Sequence, residues 1–317
     1  MRSEFEFIKR IKDMYGLGAV GDDCAVLPKD AEFDMVVTTD MLVEGIDFRL
    51  DWTTPEYLGH KALAVSLSDI AAMGAKPDWA MLSIGVPPGL WGDHFLDMFY
   101  AGWHDLAAEH GVQLVGGDIS RVPDHLIIDS IVGGSVKKGK AVRRSGARVG
   151  DGIYVTGRLG GAAAGLECLK NGQRISDADA PTLQLLLRQL RPNPRIGAGT
   201  YLATNSLATA MIDISDGLSS DLHHLINASG VGARIFAGSI PIEDMNAVFE
   251  SDAASLDAAL HGGEDFELLL TADEKKLSAE DLARFSRIGE VTANIGVIEL
   301  SIDAETRVLD PKGYRHF

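Results

Sequence analysis

The chain reads as a two-domain α+β protein, with mixed helices and strands in each half. Its 317 residues are 46% hydrophobic, more than a single core usually takes up. Helix-period and strand-period stretches occur in both halves, with no convincing internal repeat. Between the halves runs a basic, glycine-containing connector, Lys137 to Arg148, where we place the boundary. The domains are therefore expected at 1–137 and 149–317.

Each element has its own signal. Residues 3–15 carry Phe5, Phe7, Ile8, Ile11 and Met14 among charges, an amphipathic helix that suits its own domain or a partner equally. A glycine turn with two acids, Asp22 and Asp23, leads into a strand near Leu27. Residues 35–43 form a second strand, interrupted by Thr38-Thr39-Asp40. Thr54 and Pro55 open a helix that runs to Gly74 and is nearly apolar all round, hence buried. Asp69 lies deep in it, where a carboxylate is costly unless paired or bound to a cation. Strands follow at 79–86, at 112–115 (ending at Gly116-Gly117-Asp118) and at 126–136, with a helix over 93–110.

The second half opens on a strand at 151–156 and a glycine- and alanine-rich helix start, Gly157 to Gly165. That start fits neither a P-loop nor a dinucleotide fingerprint. A Leu-rich helix covers 181–190. Then comes the corner Met211-Ile-Asp213-Ile-Ser215-Asp216-Gly217, where an apolar strand meets a helix. Asp216 suits an N-cap there, worth about 1 kcal/mol. Gly232 to Ala237 is a strand, 243–260 mostly helix, and Gly262-Gly-Glu264-Asp265 precedes another strand. Two more strand-like runs fall within 284–300, and the tail ends Lys312-Gly-Tyr314-Arg-His-Phe317.

Composition narrows the function. The net charge is −17, from 46 acidic and 29 basic side chains, with no long Lys/Arg cluster, so nucleic acid is not an expected partner. No apolar run approaches the ~18 residues of a membrane span. The N-terminus has no apolar signal region. Cys24 and Cys168 are far apart and in no metal-like spacing, which suits reduced thiols in a cytoplasmic protein.

The acids carry the chemistry. Asp22, Asp23, Asp40, Asp69, Asp118, Asp213, Asp216, Glu264 and Asp265 all stand at strand ends, glycine turns or in a buried helix. If several converge they repel, by about 4 kcal/mol for two charges 4 Å apart at an effective dielectric of 20. Bound cations or raised pKa values must then compensate. Oxygen ligands without Cys/His clusters suit Mg²⁺, which in such sites bridges substrate phosphates. Phosphoryl transfer from a nucleotide, driven by positioning and charge neutralisation, is the expected reaction.

The blocks Gly21-Asp-Asp-Cys-Ala-Val-Leu27, Thr38-Thr-Asp-Met-Leu-Val-Glu-Gly45, Ser66-Leu-Ser-Asp-Ile-Ala-Ala-Met-Gly74, Gly116-Gly-Asp118, Arg144-Ser-Gly-Ala147, Ile212-Asp-Ile-Ser-Asp-Gly-Leu218 and Gly262-Gly-Glu-Asp265 occur in order over nearly the whole chain. Together they resemble the thiamine-monophosphate kinases, of the aminoimidazole ribonucleotide synthetase and selenophosphate synthetase superfamily. The resemblance implies an N-terminal mixed sheet that dimerises, giving a homodimer, and a C-terminal α/β domain that completes the site. It implies transfer of the ATP γ-phosphoryl to thiamine monophosphate without a phospho-enzyme. Several Mg²⁺ ions would be held by Asp23, Thr38, Thr39, Asp40, Asp69, Asp118, Asp213 and Asp216, with Asp118 and Asp216 most critical. Gly117, Asp118, Arg144 and Ser215 would contact ATP, and Asp47, Glu264 and Tyr314 the thiamine phosphate. Here Asp47 stands where the family often has His. Two other readings stay open: a related ATP-dependent enzyme with a different acceptor, and a non-catalytic acidic module that binds divalent cations.

Overall fold

The computed structural model describes residues 4–92 and 94–314. The side chain of Phe5 and the tail residues Arg315, His316 and Phe317 lie outside the described residues. In chain order the elements are α1 (Glu4–Tyr15), β1 (Ala25–Pro28), β2 (Phe33–Val43), α2 (Pro55–Ala72), β3 (Lys76–Val86), α3 (Pro88–Trp91), α4 (Phe95–His110), β4 (Gln113–Arg121) and β5 (Ile127–Lys137). After the connector come β6 (Gly152–Val155), α5 (Gly161–Lys170), α6 (Ala180–Leu190), α7 (Ile196–Thr204), β7 (Ala208–Asp213), α8 (Leu218–Ser229), β8 (Gly232–Phe236), α9 (Asp252–His261), β9 (Leu268–Ala272), α10 (Ala279–Arg284), β10 (Ser286–Thr292), β11 (Ile298–Ile302) and β12 (Glu305–Val308).

Among the described residues the strands form two sheets. The first runs β1-β2-β5-β3-β4, antiparallel except for the parallel β3–β4 edge. The second runs β12-β11-β8-β10-β6-β9-β7, with β8–β11 its parallel pair. Helix α2 lies between them. Thr54 caps its start, accepting the Tyr57 N–H at 3.3 Å, and Leu63, Leu67, Ile70 and Met73 are fully buried. An all-round apolar helix is stable only when covered on all sides, and α2 packs on the first sheet, α4, α7 and β7. Its approach to α4 depends on two glycines. A Cβ on Gly59 would stand 1.9 Å from the Phe99 carbonyl oxygen, and one on Gly102 1.9 Å from that of Glu56.

The strands β6, β9 and most of β7 in the second sheet are buried on both faces. Along β6, Tyr154 points into the core shared with α2 while Ile153 and Val155 point into a second core with α8. Met211 on β7 and Leu268 and Leu270 on β9 face the α2 side, and Ile212 and Leu269 face the other, the strict period of a strand. This alternation places Asp213, the last residue of β7, against α2.

Some local expectations need correction. Strand β4 does not stop at Gly116 but continues through Gly117 and Asp118 to Arg121, paired with β3. Residues 243–251 are irregular apart from a turn at 246–248, and α9 starts only after Ser251, whose hydroxyl caps it. Asp216 does not cap α8. The N-cap position is Gly217, and the Asp221 carboxylate reaches back to accept the Asp216 and Gly217 N–H groups at 3.1 and 3.0 Å.

Candidate active site

Asp23, Asp69 and Asp213 come from the β1 turn, α2 and β7, and oxygens of the three lie within 4.8 Å of one another. At that separation each charged pair costs roughly 3–4 kcal/mol at an effective dielectric of 20. Local donors offset part of it. The Thr38 hydroxyl donates to Asp69, Ser66 to Asp40 at 2.7 Å, and Ser68 to Asp213 at 2.6 Å. Arg144 donates to Asp23 through Nη2 at 2.6 Å and Nε at 3.1 Å. The compensation is incomplete. Burial, followed by neighbouring carboxylates, raises Asp40 to about 6 and Asp213 to about 7. Asp69 is held well above the usual carboxylate range by burial and by Asp40 and Asp213. The Cys24 thiol beside them is pushed up by burial and by Asp69, so it is no nucleophile.

Do these residues fit a hard divalent cation? Asp23 Oδ2 is buried and has no hydrogen-bond partner. A buried carboxylate oxygen left in this state needs a ligand of its own. The donor set is all oxygen, it gathers like charges, and it draws on both halves of the chain. The fit is good.

A second group lies on the next corner. Asp216, Asp221 and His224 have ligand atoms within 4.8 Å of one another. Burial, Arg144 and His223 lower His224 to about 4, so it is neutral at pH 7. Asp216 therefore sits with Asp221 and His224, not in the triad of Asp23, Asp69 and Asp213. Its carbonyl accepts the Tyr314 N–H at 3.1 Å, which brings the tail onto the corner. Burial raises the Tyr314 hydroxyl, and the charges of Asp47, Glu264 and Asp216 add to the shift.

Glu264 stands beside the same corner, its N–H donating to the Ser215 carbonyl at 2.7 Å. Gly217 is left-handed, φ 114°, and a side chain there would meet the Gly262 carbonyl at 2.9 Å, so only glycine allows this turn. Gly117 is needed for a similar reason: its Cβ would stand 2.0 Å from the Leu82 carbonyl oxygen.

Other expected residues lie apart. Thr39 is exposed and donates to Asp129 at 2.6 Å. Asp118 is exposed on β4 and pairs in register with Ser83, which pairs with Asp129. By strand alternation Thr39, Asp118 and Asp129 share the outer face of the first sheet, while Thr38 and Asp40 face α2. Asp22 is held by Arg143 at 2.5 Å, and Asp265 accepts the Gly160 and Ala162 N–H groups at the start of α5. Those two acids are structural. Asp47 is partly so, accepting the Val43 N–H at 2.8 Å and closing its own turn. Ser66, Ser68, Asp129, Asp221 and His224 were not singled out by sequence reasoning. Ser66 and Ser68 carry a signal, since they are spaced to meet neighbouring acids from one buried helix. Asp221 carries one as a first-turn acid in α8.

Two sheets sharing one buried helix, with an acidic site drawn from both halves, define an AIR synthase related protein. The model of that family's N-terminal domain matches residues 21–136, and the model of its C-terminal domain matches 148–299. Within it, the chain belongs to the thiamine-monophosphate kinase family. It is 42% identical over 307 residues to thiamine-monophosphate kinase of Escherichia coli K12, spanning 94% of this chain and 91% of that one. The Bacillus subtilis protein of the same name is 34% identical, over 94% and 93%. A solved structure, "AaThiL complexed with AMPPCP and TMP", superposes with a TM-score of 0.89 at 32% identity, covering 100% of this chain and 99% of that one.

Proposed function

We propose that this protein transfers the γ-phosphoryl group of ATP to the phosphate of thiamine monophosphate, giving thiamine diphosphate and ADP, with Mg²⁺ as cofactor. The observation that carries the reading is the meeting of Asp23, Asp69 and Asp213 from two halves of a chain of this family. An oxygen of the acceptor phosphate attacks the γ-phosphorus, and the bond to the β-bridging oxygen breaks, leaving its electron pair on ADP. Mg²⁺, when bound, neutralises charge on the β- and γ-phosphates.

Asp23, Asp40, Asp69 and Asp213 would hold the cation, oriented by Arg144, Ser66, Thr38 and Ser68. Asp216 would add a ligand from the second corner. Arg144 is engaged with Asp23, and its role as phosphate clamp requires it to share its guanidinium between carboxylate and phosphate. Ser215 and the close-packed backbone at Gly117 would border the nucleotide. Glu264, Asp47 and Tyr314 would border the acceptor, on the side of the corner the tail covers. Thr39 and Asp118 are assigned by motif alone.

The same reading includes a homodimer. Edge strand β4 leaves Leu114, Val115 and Ile119 exposed. An unpaired apolar edge of this length favours a second copy. We also place the protein in the cytoplasm, where ATP is made available and where free, buried Cys24 and Cys168 stay reduced.

The test is direct. Purified, folded protein with MgATP and thiamine monophosphate should form ADP and thiamine diphosphate in equal amounts, read by chromatography. Absence of thiamine diphosphate above the no-enzyme control rejects the reading.

A further inference from the structure

Glu264 is restrained at every polar atom the structure pairs. Its backbone is left-handed, φ 66°, a conformation non-glycine residues seldom adopt. One carboxylate oxygen lies 2.7 Å from Lys61 Nζ, and the other accepts from Gln189 Nε2. Its side chain still keeps 30% of its surface open, whereas Lys61 is 3% exposed and Gln189 5%. Burying a lysine is costly unless it is paired, and the apolar surroundings of α2 would accept a methionine of similar length. Strained backbone and locked side chains of this kind gather where a group must point in one direction.

We propose that Lys61 and Gln189 are positioning residues for the acceptor. They fix the Glu264 carboxylate in one orientation and tie it to α2, the helix that carries Asp69 two turns further on. Lys61 thus couples Glu264 on the acceptor side, which comes from the second half of the chain, to the cation side, built largely from the first. The inference rests on the assignment of Glu264 to thiamine monophosphate given above.

Steady-state kinetics on the full chain, varying each substrate in turn, tests it. Lys61→Met should raise KM for thiamine monophosphate at least about tenfold and leave KM for ATP within about twofold. A purely structural ion pair would shift both substrates together, or neither. In a Glu264→Gln background, Lys61→Met should add little further loss, because the two residues act as one unit. Should Lys61→Met not fold, Gln189→Met, which frees the other oxygen, carries the same expectation for the two KM values. Equal changes for both substrates, unchanged kinetics, or independent effects of Lys61→Met and Glu264→Gln would overturn the proposal while wild type remains active. A wild type that forms no thiamine diphosphate would instead refute the functional reading itself.

Discussion

Asp213 and Asp40 illustrate at the residue scale how function is set against stability. Both are raised above their ordinary 3.8, to about 7 and about 6, chiefly by burial. At these two carboxylates the folded state therefore holds more protons than the unfolded chain between pH 4 and 7, so their contribution to stability falls as pH rises through that window, outweighing the opposite contribution of His224, whose pKa is lowered by burial to about 4. Thermal unfolding of metal-free protein should show Tm decreasing from pH 5 to pH 8, with the loss reduced by added Mg²⁺ and nucleotide; a flat profile counts against the uncompensated acids. Asp213→Asn should remove one of the repelling charges, raising the metal-free Tm at pH 8 while abolishing turnover. Asp216→Asn should lose turnover and keep the fold, because Asp221, not Asp216, accepts the N–H groups at the head of α8. Asp221→Ala should cost about 1–2 kcal/mol in urea unfolding, and no loss would refute its capping role. The acids at glycine turns are legible in sequence because an acid before or after a strand end has few other uses. Their partners are less so. Ser66, Ser68 and Arg144 meet Asp40, Asp213 and Asp23 across 26, 145 and 121 residues, and no local pattern records such pairings.

Helix α2 holds the two halves of the site together at the scale of elements. It was legible because Pro, Thr and Gly punctuate an apolar stretch too long for a strand. Strand β4 was not legible as a whole. Gly116-Gly117-Asp118 has the composition of a strand end, yet close approach of Gly117 to the Leu82 carbonyl lets pairing with β3 continue. Helix α7 escaped because Ile196-Gly-Ala-Gly199 lacks helix propensity, and Gly199 is required for contact with α2: its Cβ would stand 2.0 Å from the Ala71 carbonyl oxygen. Helix α4 depends on a glycine in the same way. Gly102→Ala must push α4 off α2, and should destabilise by about 2 kcal/mol or more through overpacking, measured by urea unfolding. An unchanged midpoint would show that the glycine contact is slack.

Across the whole molecule, the two-domain α+β class followed from alternating periods and a basic connector, and the family comparisons and sheet topology agree with it. What composition left open was which face of the first sheet is covered. The exposed edge at Leu114, Val115 and Ile119 predicts that Val115→Lys shifts the protein from dimer to monomer, read by light scattering on a sizing column. A wild type already monomeric would remove the dimer from the account. The central claim, however, is that carboxylates from both halves hold one divalent cation at the nucleotide. Crystals grown with Mn²⁺ and a non-hydrolysable ATP analogue test it most directly, through the anomalous signal of the metal. A peak is expected within coordination distance of Asp69 from α2 and Asp213 from β7 together. Mn²⁺ found only on nucleotide phosphates, with those two carboxylates unligated, would contradict it.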